Sequence, residues 1–307
     1  MNPSAASRPL LLLVGGGGGL VGRAVLAELA RRWNVRSVHR HPVEMERRLG
    51  VPWVPADIGS VGDWAPIVRG ATVVVNLAWY RWGTPQEFHR LAEGARRLVG
   101  ACAAERVGRF VQLSVPEAPP HLAQSLPYFT ERARLLRTLS ESGVPTRVIR
   151  PTLLFGRGDR LIGVMMRLMH RYHRFPMFGD GAYHVSPLAT TDLAAIIAEE
   201  AAGTATGSVD IGGPRRYVYR ELTDQLFKVL GRAPRYVRIS PRNALRLTAL
   251  MVAFRSTLLY PYEVDWLVSD RLGLPAYTGL GRPLTPLEPY LVEEAQRLTG
   301  TSVLPQP

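Results

Sequence analysis

Through the first half of the chain, short apolar runs rich in β-branched residues alternate with segments whose apolar positions recur at helical spacing. RPLLLLV (8–14) predicts a buried strand, and LVGRAVLAELARRW (20–33) predicts the helix that follows it. VRSVHR (35–40) and VPWVPADI (51–58) read as two further strands, WAPIVRG (64–70) as a short helix and ATVVVNLA (71–78) as a strong strand. A long helix is expected over residues 85–107 and a strand over GRFVQLSV (108–115). YFTERARLLRTLSESG (128–143) then predicts a helix, and PTRVIRPTLLFG (145–156) a strand with its exit loop. Strands separated this regularly by helices run parallel, because each crossover returns the chain to the same end of the sheet. The expected class is α/β, a doubly wound parallel sheet with helices on both faces.

Beyond residue 156 the rhythm breaks. RLIGVMMRLMHRYH (160–173) is helical in pattern, GSVDIGG (207–213) reads as a late strand returning to the sheet, and YRELTDQLFKVLG (219–231) is a helix closed by glycine. Residues 241–300 are mostly helical in pattern, interrupted by Pro261, Pro275, Pro283 and Pro286. The expected division is a sheet domain over 1–156, with 207–213 added to it, and a smaller, mainly helical C-terminal cap over 157–307.

The stretch LLLVGGGGGLVGRAVL (11–26) places five glycines between the first strand and its helix. Gly16, Gly19 and Gly22 fit G-x-x-G-x-x-G, a relative of the dinucleotide fingerprint of Rossmann-type sheets. The first glycine permits a tight turn with positive φ, the second lets bare backbone approach a pyrophosphate, and the third lets helix and strand pack closely. The helix that opens at Leu20 and Val21 offers free N–H groups and a positive dipole end to the phosphates.

Which dinucleotide fits is read from the second strand. It ends VHRHP, with no carboxylate to grip a ribose 2′-hydroxyl. Arg40 can pair instead with a 2′-phosphate, and Arg36 and Arg23 are weaker candidates for that task. NADP(H) is therefore favoured over NAD(H). Asp57 is placed to meet the adenine edge, while Asn76 and Ala78 are expected to line the groove beside the cofactor.

Composition narrows the setting. Apolar residues make up 46% and charged residues 21%, ordinary for a folded soluble protein. The single cysteine, Cys102, excludes an internal disulfide and suits a reducing compartment. Apolar runs fall short of the ~18 residues a membrane-spanning helix needs, so the expected location is cytoplasmic, at most peripheral to the inner membrane face. The net charge of +13 is carried almost wholly by arginine, Lys228 being the sole lysine. Such a surplus attracts phosphates, anionic lipids or acidic partners. The arginines are scattered, and no basic stripe is interleaved with aromatics, which disfavours nucleic acid.

Taken together, GGGGLVG at the first turn, ADI after the third strand, VNLA after the fourth, QLSV at the fifth, YFTER opening a helix and VIRPTLLFG resemble the short-chain dehydrogenase/reductase superfamily, in its extended and atypical branches. The likeness spans roughly 8–230, and the stretch from FGRGDR to GGPRRYVYREL is most similar to the nucleotide-binding accessory subunit of respiratory complex I and its bacterial relatives. The resemblance implies a tyrosine acid–base residue, a lysine four positions later and a serine that orients the substrate oxygen. Ser114 and Tyr128 match, but Arg132 stands where the lysine is expected. Pro151, ending the sixth strand, is carried over as a cofactor contact. Two functions stay open. One is an NADP(H)-dependent oxidoreductase or epimerase-like enzyme acting on a small carbonyl or hydroxyl substrate through an altered Tyr-x-x-x-Arg site. The other is a non-catalytic NADP(H)-binding assembly or redox-sensing subunit of a larger, membrane-associated complex.

Several other residues carry plainer readings. Met165, Met166 and Met169 share an apolar helix face and read as core. His170 and His173 lack accompanying carboxylate ligands, which disfavours a metal site. Asp159 and Arg160 are read as a local salt link, and His184 and Ser186 lie where extended relatives face substrate. RNALRLTALMVAFRSTLLYPY (242–262) is read either as a cap core helix or as an amphipathic helix on a membrane or protein partner.

Overall fold

The computed structural model describes residues 8–16, 18–81, 83–159, 161–253 and 260–300. The first half holds β1 (Leu10–Val14), α1 (Leu20–Arg32), β2 (Asn34–His39), α2 (Glu44–Leu49), β3 (Trp53–Pro55) and α3 (Ala65–Val68). It continues with β4 (Val73–Asn76), α4 (Pro85–Ala104), β5 (Arg109–Leu113), α5 (Pro120–Ser125), α6 (Pro127–Glu141) and β6 (Thr146–Pro151). The second half holds β7 (Leu154–Phe155), α7 (Ile162–Tyr172), β8 (Phe175–Phe178), β9 (His184–Val185), β10 (Leu188–Ala189), α8 (Thr190–Ala202) and β11 (Gly207–Ile211). After it come β12 (Tyr217–Val218), α9 (Tyr219–Val229), β13 (Tyr236–Ile239), α10 (Pro241–Ala253), α11 (Pro261–Val268) and α12 (Glu288–Thr299).

Seven strands form the main sheet in the order β11-β6-β5-β4-β1-β2-β3. The neighbouring pairs from β6 across to β3 all run parallel. The order reverses at β1, whose neighbours are β2 on one side and β4 on the other. That switch point is where an open α/β sheet leaves a crevice beyond its strand ends. β1 is covered on both faces: Leu11, Leu12 and Leu13 are fully buried, which is why its sequence is a continuous apolar run instead of an alternating one. α4 follows Thr84, whose hydroxyl accepts from the Glu87 N–H at 3.2 Å while the Glu87 carboxylate accepts from the Thr84 N–H at 2.7 Å. Those bonds hold the Glu87 carboxyl below its ordinary range. The helix buries Phe88, Leu91, Ala95, Leu98 and Cys102 on one stripe.

The chain divides into two compact units. The first comprises 1–115, 120–150 and 190–209 and contains the glycine turn; the second comprises 116–119, 151–189 and 210–307. The first unit thus includes α8, which packs against α1. In the second unit β7 pairs with β10, β9 with β12 and β8 with β13. Met165, Met166 and Met169 are core there. The expectation of mostly helical chain over 241–300 is corrected between Ser269 and Leu287, where no helix forms; Gly273, Pro275, Gly279, Gly281, Pro283 and Pro286 interrupt every run long enough to start one. Arg160 lies outside the described residues. Asp159 accepts from the Leu161 and Gly163 N–H groups and from the Tyr290 hydroxyl, fixing the start of α7. Of the 242–262 stretch, residues 254–259 lie outside the described residues; Ala244 and Thr248 of α10 are buried. No helix among the described residues is long and apolar enough to cross a membrane.

Candidate functional site

Where β1 ends, Gly15 turns the chain at φ +78°. The positive-φ turn expected at Gly16 therefore falls one residue earlier. Gly16 is instead buried against the Leu13 side chain, which a Cβ there would meet at 2.5 Å. A Cβ on Gly15 would lie 2.7 Å from the Ala78 backbone, and one on Gly22 would lie 2.1 Å from the Gly16 carbonyl oxygen. These three glycines are needed for close packing of protein on protein. Gly19 differs: it is the N-cap of α1, and a Cβ there would meet no protein atom within 4 Å. No side chain caps α1, so Leu20 and Val21 begin a helix whose first N–H groups and positive dipole end are left to another acceptor. A bare backbone shelf with an uncapped helix start fits a diphosphate.

Beside this turn lies a cavity of about 370 Å³, lined by Gly15, Gly18, residues 39–43, residues 56–58 and residues 77–80. Arg40, Asp57 and Ala78 are all in its wall. Arg40 is exposed and has no ion pair or hydrogen bond among the described residues. Arg36 is already committed, donating to the Ile67 carbonyl at 2.8 Å, and Arg23 is exposed on α1. Asp57 accepts from the Gly59 N–H at 2.9 Å and so shapes its own turn.

Asn76 is not a wall residue. It is fully buried, donating to Gln112 Oε1 at 2.9 Å and accepting from the Ala78 N–H at 3.1 Å. Its work is to hold the bend that carries Ala78 and Trp79 into the cavity wall. Pro151 is buried at the end of β6 and belongs to the second unit.

Pro127 starts α6, which sets Tyr128 and Arg132 one turn apart on one face. Ser114 follows β5, its N–H donating to the Ile149 carbonyl at 2.8 Å. Arg132 joins them: Nη1 donates to Ser114 Oγ at 3.4 Å and Nη2 to Tyr128 Oη at 3.3 Å. Its guanidinium carbon lies 4.6 Å from the centroid of the Trp79 ring. The Tyr128 ring is set edge-on to Trp79, Phe88 and Phe129, and Ser114, Tyr128 and Arg132 are all buried. A cation fixed by a ring face and two hydroxyls favours negative charge on the phenol oxygen, which is what a proton-transferring tyrosine needs.

Four residues at this site are not singled out by the sequence: Gly15, His39, Trp79 and Glu46, whose carboxylate lies 2.5 Å from His39 Nε2. Gly15 had a signal, being the first glycine after a strand that ends at Val14. The other three are named by tertiary neighbours alone.

Residues 16–166 match the NAD(P)H-binding family model. The chain is 30% identical over 303 residues to a (4-alkanoyl-5-oxo-2,5-dihydrofuran-3-yl)methyl phosphate reductase of Streptomyces griseus subsp. griseus, covering 93% of this chain and 98% of that one. It is 26% identical over 269 residues to a 2-alkyl-3-oxoalkanoate reductase of Stenotrophomonas maltophilia, covering 78% and 81%. It is 23% identical over 242 residues to the NADH-ubiquinone oxidoreductase 40 kDa subunit of Neurospora crassa, covering 74% and 62%. The fold is shared with MoeE5 in complex with UDP-glucose and NAD, at a TM-score of 0.66 and 18% identity over 94% of this chain and 98% of that one. The chain belongs to the short-chain dehydrogenase/reductase superfamily, in its extended branch, as a nicotinamide-dinucleotide-binding member of reductase- and epimerase-like type.

Proposed function

We propose that this protein is an NADP(H)-dependent reductase of small carbonyl compounds, with Tyr128, Ser114 and Arg132 as its catalytic residues. The observation that carries the reading is the double donation of Arg132 to Ser114 Oγ and Tyr128 Oη. A nicotinamide dinucleotide, when bound, supplies the two electrons and one hydrogen that the carbonyl carbon takes up. Gly18, Gly19 and the first turn of α1 hold its diphosphate, Arg40 its 2′-phosphate, and Asp57 and Ala78 flank it. Tyr128 gives a proton to the carbonyl oxygen, Ser114 orients that oxygen, and Arg132 balances the charge left on the phenol. Both reductase relatives carry oxo compounds with an alkyl chain in their names, and substrates of that class are the first to try.

The test joins two measurements. Native mass spectrometry of the purified protein distinguishes retained NADP from NAD by the mass of one phosphate. NADPH consumption is then followed over a panel of 3-oxoalkanoates and acyl lactones. Turnover that Tyr128→Phe lowers by about 10²–10⁴-fold supports the enzyme; turnover indifferent to that substitution, or none on any member of the panel, rejects it.

A second reading is favoured by the burial of Tyr128 among aromatic rings and by arginine at the lysine position. Under it the chain is an NADP(H)-loaded subunit of a larger assembly, as its likeness to a complex I subunit suggests. Retained NADPH without turnover is its signature.

A further inference from the structure

The loop after β2, which carries Arg40 into the cavity wall, is fastened at both ends by one buried carboxylate. His39 Nε2 lies 2.5 Å from Glu46 Oε1, with only 9% and 4% of the two side chains exposed. The other oxygen, Glu46 Oε2, accepts from the Val43 N–H at 3.1 Å. Glu46 therefore grips the residue before Arg40 and the residue three beyond it. A third tie comes from β3, where Trp53 Nε1 donates to the His39 carbonyl at 2.9 Å. A buried carboxylate is costly unless both oxygens are satisfied, and here each has its own donor. Arg40 itself is free of any such anchor among the described residues. Its direction is set by the clamp on either side of it.

We infer that Glu46 and His39 are positioning residues for dinucleotide selection: they hold the 39–43 loop so that Arg40 meets a 2′-phosphate. The inference rests on the proposal that Arg40 takes that phosphate. A bidentate guanidinium–phosphate contact needs its geometry set in advance, because a freely swinging arginine loses the ordering entropy on binding. The clamp makes no difference to a cofactor without the 2′-phosphate, since Arg40 then has nothing to hold.

The experiment measures dissociation constants of NADPH and NADH for the full chain and four variants, by quenching of protein fluorescence or by calorimetry. Glu46→Ala removes both fastenings; it is expected to weaken NADPH by about tenfold and NADH by less than about twofold. Glu46→Gln can still bridge Val43 N–H and His39, whose ring can change tautomer to accept, and it is expected to recover most of the NADPH affinity. His39→Phe keeps an aromatic ring beside Trp53 and is expected to shift the ratio in the same direction, which keeps the test alive if Glu46→Ala does not fold. Equal loss of both cofactors, an unchanged ratio, or no recovery in Glu46→Gln would overturn the clamp. Arg40→Ala separates the two levels. Where it abolishes NADPH preference and Glu46→Ala and His39→Phe leave the ratio unchanged, the clamp alone is wrong; where the natural protein shows no NADPH preference or Arg40→Ala leaves it unaltered, the phosphate role of Arg40 falls and the clamp with it.

Discussion

Arg132 is stacked on Trp79, with its guanidinium carbon 4.6 Å from the ring centroid. A planar guanidinium suits this position better than an ammonium would, because it can lie on the ring while two of its nitrogens still reach two hydroxyls. Trp79 lines the cavity beside the glycine turn, so the stack ties that cavity wall to the Ser114–Tyr128 pair. Trp79→Leu keeps apolar bulk but removes the ring face. It is expected to destabilise the protein by about 1–2 kcal/mol, of which the cation–π contact accounts for a substantial part. In a cycle with Arg132→Met, the coupling energy measured by urea unfolding should be about 0.5–2 kcal/mol. A coupling of zero would mean that the stack contributes shape alone.

The glycine turn separates folding from binding, and two substitutions three residues apart should show it. Gly22→Ala places a Cβ 2.1 Å from the Gly16 carbonyl oxygen, where only movement of α1 away from β1 can relieve the contact. It is expected to cost about 1–3 kcal/mol of stability, seen as a fall in Tm, with loss of dinucleotide binding as a consequence. Gly19 sits in extended backbone, φ −78° and ψ 164°, with no protein atom near its missing Cβ. Gly19→Val should therefore fold with a change of about 1 kcal/mol or less and yet lose dinucleotide affinity by at least about tenfold. Full retention of the nucleotide by Gly19→Val contradicts the diphosphate placement.

Much of the first unit was legible because its signals are local. β1 is apolar on both faces, the glycines follow it at once, and α4 announces itself by Thr84, Pro85 and Glu87. α8 was not foreseen, and its burial explains why. Leu193, Ile196 and Ile197 are fully buried, and Asp192 and Glu200 are buried with them, while the outward stripe of Thr191, Ala195 and Glu199 is interrupted by an alanine, so polarity does not follow the helical period. The carboxylate of Glu200 is tolerated there because Arg147 lies 2.9 Å from it and Arg109 3.7 Å. The β7, β9, β10 and β12 strands have two residues each, too few to establish alternation. At the site, Ser114, Tyr128 and Arg132 are reached through the family resemblance that QLSV and YFTER carry. Glu46 and Trp79 could not be, since their roles depend on residues they meet only in the folded unit.

Asn76 illustrates the same distinction. A polar residue at the end of a strand reads naturally as a ligand contact, yet its amide is spent inside the protein on Gln112 and on the Ala78 N–H. Asn76→Ala leaves the buried Gln112 Oε1 and the half-buried Ala78 N–H without these bonds. The expected loss is about 1–3 kcal/mol by chemical denaturation. Because the Ala78–Trp79 bend is released at the same time, dinucleotide affinity should fall together with stability. A variant of unchanged stability and weakened binding would restore Asn76 to the cofactor wall.

Cys102 provides a probe of the core against which α4 is packed. The thiol is fully buried, and desolvation pushes its pKa up to about 12, against an ordinary thiol value near 9. The neutral form is thus favoured in the folded protein, and the thiolate that reacts with disulfide reagents is scarce as well as inaccessible. At pH 8 the native protein should not react with an aromatic disulfide reagent over hours, and one thiol per chain should react at once in denaturant. The linkage has a definite sign. The unfolded chain loses its thiol proton near pH 9 while the folded chain keeps it, so this contribution to stability is complete below pH 9 and is lost as pH rises toward about 12. Cys102→Ser places a hydroxyl of nearly the same size in the same apolar setting. It should remove that alkaline slope, about 1.4 kcal/mol per pH unit for one group, while lowering stability at pH 7 by about 1–3 kcal/mol through the buried hydroxyl. Rapid labelling of the native protein at pH 8 would show that α4 opens readily, and the cavity wall that rests on Leu91 would open with it.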